Sequence, residues 1–110
     1  MKNVSELFIR LDTVSRLSQD GFLEANVRRV NGFFITTIND AVTGAVIKTF
    51  FLGELNTHEK NRFTIIEKRG TKLRCIARAD NFSESLENLN KLLEKEGIYP
   101  FPLESLARLS

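Results

Sequence analysis

Apolar positions along this chain follow two periods, and the change between them divides it into elements. Val4, Leu7, Leu11, Val14 and Leu17 recur at spacings of three and four, which places them on one stripe of a helix. Asn3 and Glu6 have the capping-box spacing at its start, and Gly21 suits the left-handed residue that ends a helix. The spacing therefore predicts an amino-terminal helix.

Strand chemistry takes over at Phe22. Phe22 to Val30 and Phe33 to Asn39 flank Asn31-Gly32, a dipeptide that tolerates the positive φ of a type I′ turn. In that register Val27 faces Thr36 and Ala25 faces Ile38, while Arg28 lies opposite Ile35 on the reverse face. Asp40 to Gly44 forms the next turn, and Ala45 to Leu52 is rich in β-branched and aromatic residues. Gly53 to Asn61 is polar and reads as a loop with room for one helical turn. Arg62 to Lys68 and Lys72 to Ala79 then make a second hairpin across Arg69-Gly70, with Glu67 opposite Lys72.

The helical period returns at the end. Asn81 and Glu84 repeat the capping-box spacing, Leu86, Leu89 and Leu93 form an apolar stripe, and Gly97 is the stop. Ile98 to Pro102 is an extended apolar segment, and Leu103 to Leu109 adds a short helix with Leu103 and Leu106 on one side. The expected fold class is α+β in one domain over residues 1–110. It has an amino-terminal helix, a meander of about five antiparallel strands, and a carboxy-terminal helix and tail.

Charge changes this picture most. Between Lys60 and Arg78 seven cations stand against one acid, Glu67, a local balance of +6, whereas the rest of the chain sums to −4 within the formal +2. Such asymmetry steers anionic partners. Arg62, Lys68, Arg69, Lys72, Arg74 and Arg78 are the candidate phosphate contacts, with Phe63 as a stacking ring for single-stranded RNA or DNA. Strict alternation puts Lys72, Arg74, Ile76 and Arg78 on one face and Leu73, Cys75 and Ala77 on the other. A solvated face whose cations pair with Glu67 and the acidic closing helix weighs equally against this reading.

The phenylalanines supply the rival. Phe33-Phe34 and Phe50-Phe51 sit on strands, so one ring of each pair points away from the core. Packing is the commoner fate of such rings. If both emerge on one uncovered face, a dimer interface gains over base stacking. If cations are contiguous with exposed rings there, nucleic acid is favoured, whereas a broad apolar patch favours protein. A homodimeric regulator or adaptor, using the aromatic face and the tail, is thus the second reading.

Other chemistry is thin. His58, the single histidine, has Glu54 and Glu59 nearby but too few ligands for a transition metal, and a solvated loop histidine is the simpler account. Cys75 is expected to be a buried, inert thiol, and one cysteine permits no internal disulfide, consistent with a cytoplasmic location. The six glycines are scattered singly at element boundaries, unlike a phosphate loop, and the turn at Asp40 lacks the carboxylates of a calcium loop. No cofactor, metal or membrane partner is expected, and catalysis is the weakest reading.

Overall fold

A computed structural model of the chain describes residues 13–54 and 62–109. Six strands form one sheet in chain order: β1 (Thr13–Leu17), β2 (Leu23–Val30), β3 (Phe33–Asp40), β4 (Val46–Glu54), β5 (Phe63–Arg69) and β6 (Lys72–Ala79). Every neighbouring pair is antiparallel. Helix α1 (Phe82–Lys95) follows the sheet, and an extended segment leads to the short α2 (Leu103–Ala107).

Two expectations are overturned: the sheet has six strands rather than five, and Thr13–Leu17 is a strand, not the end of a helix. Val4, Leu7 and Leu11 lie outside the described residues. The spacing of Val14 and Leu17 fits a helical stripe, but Thr-Val-Ser-Arg-Leu alternates equally well. In the strand the two residues part company. Val14 pairs with Val27 and packs against the core, while Leu17 is 54% exposed. Hydrogen bonding along the free edge of β2 outweighs the weak local preference.

Asn31 and Gly32 take φ of 50° and 85°, the paired positive values of a type I′ turn, and the expected β2–β3 register follows. At the next turn the Asp40 carboxylate accepts the backbone N–H groups of Thr43 and Val42. Those bonds hold its carboxyl below the usual carboxylate range. The second hairpin differs from expectation. Gly70-Thr71 forms the turn, so that Gly70 takes the positive φ of 64° that Arg69 would otherwise have had to adopt. Glu67 consequently faces Arg74, and Arg69 faces Lys72.

Alternation gives the sheet a face that builds the buried core, and α1 covers it. Ala25, Val27, Phe34, Ile38, Phe50, Leu52 and Ile65 point towards Leu86, Leu89 and Leu93, all nearly or fully buried. Asn81 caps α1 as its spacing predicts, its side chain accepting the Glu84 N–H at 2.8 Å. Gly97, with φ of 82°, ends the helix and turns the chain so that Ile98 bridges to Ser18. The tail then wraps over the same core. Phe101, Leu106 and Leu109 are buried, and buried Asn90 both donates to the Phe101 carbonyl and accepts its N–H, each at 2.8 Å. No helix among the described residues is long and apolar enough to cross a membrane.

Two substitutions test this packing by urea unfolding. Asn90→Leu strands two buried backbone groups and should cost about 2–4 kcal/mol. Thr36→Val should be neutral or raise stability by about 1 kcal/mol, since the buried Thr36 hydroxyl has no partner among the described residues. A loss of stability in Thr36→Val contradicts that account.

Candidate functional site

The six nominated cations do not lie on one face. β5 and β6 keep a simple register from Arg69–Lys72 to Ile66–Cys75, then shift between Ile65 and Ile66, where β6 carries one extra residue, Ile76. Before that bulge Arg74 lies opposite Glu67, on the helix-covered side with Phe50. Beyond it Arg78 lies opposite Thr64, next to Gly53, on the uncovered side. One extra residue therefore reverses the expected direction of Arg78. Lys68, opposite Thr49 and Leu73, also belongs to the uncovered side.

Arg69, Lys72 and Arg74 are brought together. With Lys48, Glu67 and Leu73 they line an open cleft of about 630 Å³ at the tip of the second hairpin. Its floor is Lys48, which continues the inward series Phe50 and Leu52 along β4 and is itself buried. Its ammonium donates to Glu96 at 2.7 Å and pairs with Glu67 at 3.4 Å. The other Glu67 oxygen meets Arg74 at 3.5 Å, although the Arg74 side chain is 75% exposed. The acids near the cleft are thus already engaged by Lys48, leaving the outer cations towards solvent. Among the described residues Lys68, Arg69, Lys72 and Arg78 have no carboxylate partner.

Arg62 and Phe63 are placed elsewhere. Arg62 forms an ion pair with Glu54, and its guanidinium lies 5.8 Å from the Phe63 ring. Phe63 is half-buried on the helix side, 5.9 Å from Phe82, whose ring also meets Phe34 at 5.5 Å. That ring belongs to the packing around the start of α1. Cys75 also departs from expectation: it is exposed, because β6 is an outer strand and its uncovered side has nothing described above it. His58 and Glu59 lie outside the described residues, and no metal-binding cluster occurs among the described ones.

The side of the sheet that no described helix covers, here called the uncovered side, is the second candidate surface. Phe34 and Phe50 enter the core, whereas Phe33, exposed, and Phe51, partly buried, point to this side. Arg28, Ile35, Phe51, Ile66 and Cys75 form one row across β2 to β6. Val30, Phe33, Gly53, Thr64 and Arg78 form the adjacent row. The edge of the Phe33 ring occupies the space above Gly53, where an added Cβ would fall 2.3 Å from its Cε1. Glycine at this position lets an aromatic ring lie against the strand and stay 46% exposed.

Two contributors were not legible as such in the sequence. Lys48 carried a signal, since alternation from Phe50 and Leu52 puts it on the inward side. Gly53 carried none, because only the cross-strand neighbour shows what its missing side chain makes room for. No family profile, curated protein or solved structure matches this chain.

Lys48→Met removes the cation that holds Glu67 and Glu96. Both carboxylates are partly exposed and can rehydrate, so the expected loss is about 1–3 kcal/mol rather than the larger cost of a fully buried pair. An unchanged urea midpoint in this variant would show that Lys48 does not organise the cleft.

Proposed function

We propose that this chain is a small non-enzymatic protein that binds single-stranded RNA or DNA through the tip of its basic hairpin. The observation that carries the reading is the convergence of Arg69, Lys72 and Arg74 around one cleft whose lining acid, Glu67, is held by Lys48. A phosphate backbone entering there gains charge pairing and releases its counterions. Lys68, one residue from Arg69 but on the opposite side of the sheet, extends the positive path over the hairpin edge. The sequence supports a binding rather than a catalytic role, with one histidine and one cysteine available for acid–base or thiol chemistry.

A homodimer across the uncovered sheet side is the second reading, supported by exposed Phe33 and partly buried Phe51 lying on the same side. Its other proposed surface, the tail, is engaged by the core of the same chain. Two sheets facing each other would also bring Arg28, Lys68 and Arg78 of both copies together. Glu24, opposite Asn39, is the only acid among the strand residues of that side. Like charges at that density oppose self-association.

Fluorescence anisotropy with a short labelled oligouridylate tests the nucleic-acid reading. Affinity should fall steeply between about 50 mM and about 200 mM salt. Lys72→Glu with Arg74→Glu should weaken binding at low salt by at least about tenfold and flatten the log–log salt slope by roughly 1.4. Circular dichroism should show the fold intact, because both side chains are exposed. Equal affinity of the folded double variant rules out the cleft.

A further inference from the structure

We infer that the uncovered side of the sheet is the base-binding half of the same site, with Phe33 and Phe51 each stacking one base of a single strand and Arg28, Lys68 and Arg78 taking the flanking phosphates. This rests on single-stranded nucleic acid being the ligand of the hairpin, and it adds where the bases go.

Three observations support it. The first is the presentation of the rings. Phe33 and Phe51 stand on neighbouring strands, Phe51 opposite Ile35, so the two are diagonal neighbours. Diagonal pairs on a sheet are roughly 7–8 Å apart, within reach of successive bases of an unstacked strand. Some four-stranded RNA-binding sheets stack two or three bases on aromatic rings of this kind. The second is Gly53. Its missing side chain lets Phe33 settle against β4 while nearly half its surface stays open. A ring required only for burial has no need of such a seat at the surface.

The third is charge. Arg28 shares the row of Phe51, and Arg78 shares the row of Phe33. Lys68 stands at the hairpin end, two residues along β5 from Ile66 in the Phe51 row. From Lys68 to the Arg78 row is four residues of strand, about 14 Å, with both rings inside that span. Glu24 lies at the far end from Phe33. Cations beside the half-exposed Phe33 ring and the partly buried Phe51 ring suit an anionic chain of flat bases, and the one-residue bulge in β6 brings Arg78 onto this side. The backbone can then pass from Arg69 and Lys72 over the hairpin edge to Lys68 and across the rings.

The test compares labelled oligouridylate with an abasic phosphodiester strand of the same length, using anisotropy at low salt. Phe33→Leu with Phe51→Leu keeps the surface apolar and removes the π faces. This double variant should lose at least about tenfold affinity for oligouridylate, with its salt slope and its affinity for the abasic strand unchanged. Arg28→Ala with Arg78→Ala, at two exposed positions, should weaken binding of both strands and flatten the slope by roughly 1.4.

If the leucine variant binds oligouridylate as the wild type does, the rings are not the platform, while the hairpin reading survives. If the alanine pair leaves binding and slope unchanged, the uncovered side is not the path of the strand. If the wild type binds neither strand, both readings fall together. A wild-type dimer in sedimentation that the leucine variant dissociates would assign the rings to a second copy and overturn the inference.

Discussion

Among the described residues, one long helix and a short tail shelter one side of six strands, and much of what those residues present to solvent follows from that. Strand side chains alternate between two sides, and only one side receives the leucine stripe of α1 together with Ile98, Phe101, Leu106 and Leu109. Residues of the other parity point to the opposite side whatever their chemistry. That explains why a phenylalanine can be among the most buried residues at position 34 and half-exposed at position 33.

Parity also sorts the charges. Lys48, Glu67 and Arg74 fall on the sheltered side but beyond the reach of the apolar core. There they form a partly buried chain of ion pairs with Glu96 from the end of α1. Such an arrangement does more to fix positions than to add stability, because desolvation offsets much of the attraction. Arg69 and Lys72 project beyond it at the turn, and the bulge between Ile65 and Ile66 gives Arg78 to the opposite side. Positive charge that is continuous in sequence is thus divided between a cleft and a sheet surface that meet at the hairpin edge.

Much of the local order was readable from residue type alone. Asn31-Gly32 set the first hairpin and its register because the turn demands positive φ at both residues. Asn81, the leucine stripe and Gly97 marked α1 because capping and termination are local chemistry. The failures lay where a partner decides. Thr13–Leu17 satisfied both periods, and the edge of β2 chose between them. A glycine displaced by one position reset the second hairpin, and a bulge invisible to alternation redirected Arg78. The place of Phe63 depended on Phe82, far along the chain and unreadable from strand pattern. The cleft was half legible: its outer cations stood out by charge, and its floor, Lys48, was concealed among apolar neighbours.

The bulge in β6 has one more effect, which concerns the margin of the sheet. β6 is an outermost strand, and an open strand edge can template the addition of a foreign strand. A local kink spoils the regular spacing such an intruder needs, and Lys72, Arg74 and Arg78 add repulsion and hydration along the same rim. The same arginines and lysine thereby oppose edge-to-edge pairing of this border with another copy of itself.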